Sequence, residues 1–155
     1  MKTLLILVSL FFSVKAGAQS TFVRTFGNSQ SDVGTSCFEA FDKGILLAVS
    51  TSTNTFNIQI GLVKTDMNGH MIWNKIKQVG LYSFPQTVVE CNDSGIVVFG
   101  SANYTPTLNG NDDFLYVIKT DSNGNDLWSK EYRFSQNDQP VKLLKAKTGG
   151  FIFSA

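Results

Sequence analysis

The sequence holds few of the residues on which catalytic chemistry usually depends. Among 155 residues there are one histidine, His70, two cysteines, Cys37 and Cys91, and three prolines. Nucleophilic catalysis needs a positioned base, and a metal site needs several ligands at workable spacing. His70 stands in a turn whose second copy carries Asn125, so a structural place there is expected, with no catalytic residue, no metal and no cofactor. Two cysteines do not make a disulfide framework. In the repeat described below Cys37 aligns with Val88 and Cys91 with Ala40, three positions apart in one strand register. Odd spacing sends the sulfurs to opposite sheet faces, and two small buried thiols are expected instead of a bridge. An excess of one charge is also lacking, with 13 Lys and Arg against 12 Asp and Glu and a formal net charge of +1. The phosphate-neutralising term of nucleic-acid binding is therefore missing, and no nucleic-acid partner is expected.

Long hydrophobic runs are absent after the first twenty residues, MKTLLILVSLFFSVKAGAQS. In that opening Lys2 precedes a largely apolar run, Leu4 to Val14, and Ala16-Gly17-Ala18 supplies small side chains. The pattern reads as a signal peptide, residues 1–18, cleaved after Ala18, which leaves a secreted or cell-surface chain beginning at Gln19. The apolar run is too short for a bilayer core that needs about 20 helical residues, so no membrane span is expected in the mature chain.

What the sequence does have is a repeat. TDMNGHMIW at 65–73 returns as TDSNGNDLW at 120–128, a shift of 55 residues that matches Lys64, Asp66, Gly69 and Trp73 with Lys119, Asp121, Gly124 and Trp128. A second anchor is the alignment of SCFEAFDKGILLAVS from Ser36, TVVECNDSGIVVFGS from Thr87 and KLLKAKTGGFIFSA from Lys142, through Gly44, Gly95 and Gly150. Each segment is two short apolar runs separated by a turn rich in Asp, Ser, Thr and Gly, the signal of a β-hairpin. The second runs, Ile45 to Val49, Ile96 to Phe99 and Phe151 to Phe153, are apolar at successive positions, which predicts burial on both faces. A third run, Ile58 to Lys64 or Phe114 to Lys119, is joined through Asn-Gly to a more polar fourth, Met71 to Lys77 or Leu127 to Arg133. Charged side chains on that last strand suit an exposed edge.

Four strands per repeat describe an all-β chain, a partial β-propeller of four-stranded antiparallel blades over residues 19–155. Its units are 36–77, 87–133 and 142–155, about two and a half blades. Residues 21–26 align with the fourth strand by a shift that places Phe22 over Trp73, and read as a strand able to close a ring. Because two and a half blades fall short of a ring of four to eight, the chain reads as a fragment or a truncated gene product, with self-assembly of several copies as the alternative.

The spacing Gly69 to Trp73 and Gly124 to Trp128, each preceded by Asp, resembles the tryptophan-docking motif of quinoprotein-type propellers. The wider Lys-Thr-Asp-x-Asn-Gly pattern resembles secreted bacterial propeller-repeat proteins. The resemblance implies that Trp73 and Trp128, with Gly69 and Gly124, hold neighbouring blades together. The chain departs from the quinoprotein pattern at Asn68 and Asn123, where Thr is usual, and shows no quinone-binding set.

In such an arrangement the tight, repeated turns share one end of the blades, and dissimilar loops share the other. Those loops are Thr51 to Asn57 and Ala102 to Asp112 after the second strands, and Gly27 to Thr35, Gln78 to Gln86 and Phe134 to Pro140 before the first strands. Variable loops on a rigid scaffold are where recognition resides, and Tyr82, Phe84, Tyr104 and Asp112 are the candidate contacts. The expected function is extracellular recognition of a glycan or a protein. The alternative is a piece of a secreted propeller enzyme, a hydrolase, lyase or quinoprotein, whose active site lies in other blades.

Overall fold

The computed structural model describes residues 22–54, 57–104, 113–134, 139–147 and 149–154; the expected leader, residues 1–18, lies outside the described residues. Ten strands account for the secondary structure there. Strands β1 (Asp32–Glu39), β2 (Ile45–Asn54), β3 (Asn57–Thr65) and β4 (Met71–Lys77) form one up-and-down antiparallel sheet. Strands β5 (Tyr82–Glu90), β6 (Ile96–Asn103), β7 (Phe114–Thr120) and β8 (Asp126–Tyr132) form a second of the same order. A hairpin of β9 (Lys142–Lys145) and β10 (Phe151–Ser154) begins a third unit. A single parallel bridge, Ile58 to Tyr82, ties the first sheet to the second.

The turns follow from the repeated residues. Between β3 and β4 the Asp66 carboxylate accepts the amides of Asn68 and His70, and the Gly69 amide donates to the Asp66 carbonyl. Asp121 does the same for Asn123 and Asn125, with Gly124 donating to Asp121. Only the glycines need the left-handed region, Gly69 at φ 76° and Gly124 at φ 77°. These are therefore three-residue loops with a glycine bulge, short as the Asn-Gly pairs imply. Between β1 and β2, and between β5 and β6, the left-handed residue is instead Lys43 or Ser94. Those turns are held from across the sheet, because Lys64 Nζ lies 2.6 Å from Asp42 Oδ1 and Lys119 Nζ lies 2.7 Å from Asp93 Oδ1. The lysine of the Lys-Thr-Asp pattern is thus a clamp on the neighbouring turn, buried along its stem.

Packing between units divides each strand by parity. Leu46, Ala48, Ile60 and Leu62 of the first sheet meet Val88, Ile96, Val98, Phe114, Tyr116 and Ile118 of the second. The alternate residues of the second sheet, Val97, Phe99, Leu115 and Val117, meet Leu143, Phe151 and Phe153 of the hairpin. The units are stacked face to face, so the central strand β6 is buried on both faces from Ile96 to Gly100, as its unbroken apolar run requires. From Ile45 to Ser50, β2 alternates half-buried with buried residues, and β10 alternates half-buried with exposed ones, so neither run is buried on both faces as the sequence predicts. Gly100 sits opposite Tyr116 in the ladder, and a side chain at Gly100 would meet the Tyr116 hydroxyl. Full burial pushes that hydroxyl well above its ordinary pKa of 10.0, so it stays neutral.

Several boundaries differ from the sequence reading. Strand β1 starts at Asp32 and β5 at Tyr82, inside segments expected to be loops, and each carries a register shift at the same repeat position, Gly34/Ser36 and Pro85/Thr87. A bulge there accommodates Pro85, which has no amide to give to the ladder. The polar Ser and Thr residues after Val49 extend β2 to Asn54, leaving only residues 55–56 before β3. Strand β8 begins and ends one residue earlier than expected, while β4 has the expected bounds. Residues 22–28, which include the described part of the expected ring-closing strand 21–26, form no strand; they lie against the first sheet, with Phe22 over Gly69 and Asn28 Nδ2 donating to Thr51 Oγ1.

Candidate binding edge

At the turn end the inter-unit contacts repeat. The Trp73 indole lies against Gly124 of the next sheet, where a side chain would come within 3.1 Å of Cη2 and Cζ3. The Phe22 ring takes the same place over Gly69, as the alignment of Phe22 with Trp73 implies. Trp128 has no such glycine against it among the described residues; its indole is 40% exposed, with Lys130 Nζ 5.8 Å from the ring. Around Trp73, Lys77 is ion-paired to Asp126 and Lys75 Nζ donates to Asn125 Oδ1 at 3.4 Å, so β4 is fastened to the start of β8.

The opposite end is less regular. The connection between β6 and β7 spans residues 104–113, against residues 55–56 in the first sheet. At its start Tyr104 is half exposed, and its hydroxyl donates to Glu131 Oε1 at 2.6 Å. The Tyr104 ring stacks on Phe114 with centroids 4.9 Å apart. The Arg133 guanidinium lies 4.6 Å from the Phe114 centroid and 5.8 Å from that of Tyr104, with Nη2 3.5 Å from Glu131 Oε2. The hydrogen bond to Glu131, together with partial burial, holds the Tyr104 hydroxyl above its ordinary value of 10.0 and keeps it a donor at neutral pH. An aromatic face, a carboxylate and a guanidinium therefore meet on one exposed edge. Arginine carries five donors in a fixed fork, so donors remain beyond the contact with Glu131.

The other expected contacts fall elsewhere. Tyr82 and Phe84 are not loop residues; both belong to β5, paired with Asn103 and Ser101. Strands β6 and β7 lie between them and β8, toward which the Tyr104 hydroxyl reaches. Phe84 is 39% exposed and Tyr82 is half-buried. Asp112 lies outside the described residues. Glu131 and Arg133 were missed as site residues because on the polar last strand they read as edge charges, and Phe114, at the start of β7, because it read as core. The signal available was the period of two that puts Glu131 and Arg133 on one face.

His70 Nδ1 lies 3.1 Å from Asp66 Oδ2 within its turn, and Nε2 lies 3.4 Å from Arg24 Nη2 of the N-terminal segment. Both cysteines are free and on opposite faces; Cys91 is buried, but Cys37 is exposed, contrary to expectation, because no sheet covers that side of β1 and β2. Among the described residues there is no group of three or more His, Cys, Asp or Glu placed to hold a metal ion, and no helix long and apolar enough to cross a membrane. No protein-family model matches the chain, and no curated protein matches it.

Proposed function

We propose that the chain is an extracellular recognition module, a partial β-propeller that binds a glycan or a protein through the end of the sheets carrying the β6 to β7 connection. The single observation that carries this reading is the Tyr104, Glu131 and Arg133 edge, an exposed aromatic face bordered by charged hydrogen-bonding groups on a scaffold whose other end repeats. Sugars suit such an edge, since their C–H faces stack on aromatic rings and their hydroxyls bond to carboxylate and guanidinium. The propeller reading is supported by the stacking of four-stranded sheets and by the Trp73 indole against Gly124. Export is supported by the leader pattern in the sequence.

A glycan array probed with the full chain tests the proposal. Binding that Tyr104→Ala abolishes and Tyr104→Phe weakens supports a stacked sugar at this edge. Binding untouched by Tyr104→Ala and Arg133→Ala, or no binding to any extracellular polymer or protein, overturns it.

A further inference from the structure

The two full sheets depart from their repeat where β4 and β8 face each other. Register places the residues: Ser129 stands opposite Ile118 and Glu131 opposite Tyr116, and both partners belong to the core between the sheets. Lys77 stands opposite Ile60, which meets the same core from the first sheet. After Lys77 the chain leaves β4 and passes through residues 78–81 to β5. A cleft of about 270 Å³ opens there between the sheets, lined by Lys77, Gln78, Val79, Ile118, Ser129 and Glu131 among others. That is close to the lower bound of about 300 Å³ for small-molecule sites, room for one ring. The shift of 55 residues pairs Lys77 with Tyr132 and Ile76 with Glu131. In the second interface the Tyr132 ring packs on Phe153; in the first, Lys77 brings an ammonium to that place. Charged groups thus stand where the other copy has an aromatic or an aliphatic side chain, an exchange that costs desolvation and adds nothing to packing.

We propose that this cleft is a second sugar subsite, holding one neutral ring beside the ring stacked on Tyr104, so that the site takes a chain of at least two sugars. The inference rests on the sugar reading of the Tyr104 edge, and Glu131 joins the two places. Its Oε1 accepts the Tyr104 hydroxyl, and the same residue lines the cleft. The cleft offers hydrogen-bonding groups at fixed positions. The Lys77 side chain is only 7% exposed, and Asp126 takes one of the three donors of its ammonium. Gln78 is held by Gln59, whose Nε2 donates to Gln78 Oε1 at 2.9 Å. Ser129 adds a hydroxyl, and Val79 and Ile118 give an apolar wall for the C–H face of a ring. Charge selects a neutral sugar, because each cation already has its acid, Lys77 with Asp126 and Arg133 with Glu131. An acidic sugar would meet both carboxylates with both cations taken.

Isothermal titration calorimetry of the full chain is the test, with glucose, galactose and mannose, their neutral di- and trisaccharides, and galacturonate oligomers as the acidic probe. Ser129→Phe fills the cleft from an exposed position and leaves Tyr104, Glu131 and Arg133 in place. In the native chain a neutral disaccharide is expected to bind about tenfold tighter than its monosaccharide, the gain of one or two net hydrogen bonds. Ser129→Phe should remove that gain and leave monosaccharide binding unchanged, which also shows that the variant is folded. Ser129→Ala should keep the gain, and Tyr104→Ala should abolish binding of both sugars. A Tyr104-dependent monosaccharide affinity that does not rise with a second sugar, or a rise that survives Ser129→Phe, overturns the second subsite and leaves the edge standing. Tighter binding of the galacturonate oligomers than of the neutral ones also overturns it. No binding of any sugar, or binding that Tyr104→Ala does not touch, overturns the edge reading and this proposal with it.

Discussion

Gly124 does two things at once. Its backbone sits at φ 77°, where a side chain costs roughly 1 to 2 kcal/mol, and its bare Cα lets the Trp73 indole lie flat against the turn. Gly124→Ala is expected to lower stability by at least that amount in urea unfolding and to raise the solvent exposure of Trp73 fluorescence, whereas strain alone would leave the fluorescence unchanged. The clamps are the second residue-scale device. Asp93 is held below its ordinary value of 3.8 first by the hydrogen bond from Lys119 and then by the Gly95 amide. Asp93→Asn keeps the amide contact and loses the charge opposite a buried ammonium, so a drop in melting temperature larger than that of Glu39→Gln, an exposed pair, is the expected result.

At the scale of elements, the fourth strands fasten one sheet to the next. Trp73 packs on the core between the two sheets, and truncation of such a side chain costs about 3 kcal/mol. Trp128 stands in the same place on β8 with 40% of its surface open, so Trp128→Ala should cost clearly less, on the order of 1 kcal/mol, in the same unfolding experiment. Equal losses would show that contact between sheets is not what Trp73 supplies. Strand identity was largely legible: the unbroken apolar runs of β2, β6 and β7 and the glycine turns announced their hairpins. Strands β1 and β5 were read short because Pro85 and the polar residues before Thr87 lack a strand's pattern. Their ladder exists because the partner strands β2 and β6 run on and offer hydrogen bonds along the whole length.

For the molecule as a whole, four turn carboxylates are shifted in the same direction. Asp42 and Asp93 are lowered from 3.8 chiefly by lysine hydrogen bonds, and Asp66 and Asp121 chiefly by the backbone amides of His70 and Asn125. Carboxyls with depressed folded values contribute stability above their unfolded pKa and lose it as pH falls through the folded one. Melting temperature should therefore hold from neutrality to about pH 5 and fall below pH 4, and the combined Asp42→Asn and Asp93→Asn variant should show a shallower fall. The sequence alone determined the all-β class, the two full units and the turn chemistry, because strand period, glycine position and Asp caps are local properties carried by neighbouring residues. Only the tertiary structure decided which face of each strand meets which unit, that Tyr104 joins Glu131 and Arg133 and not Tyr82 or Phe84, and that Cys37 is open while its repeat partners are covered. Those outcomes depend on stacking between sheets, and burial at one position is set by a neighbour many residues away.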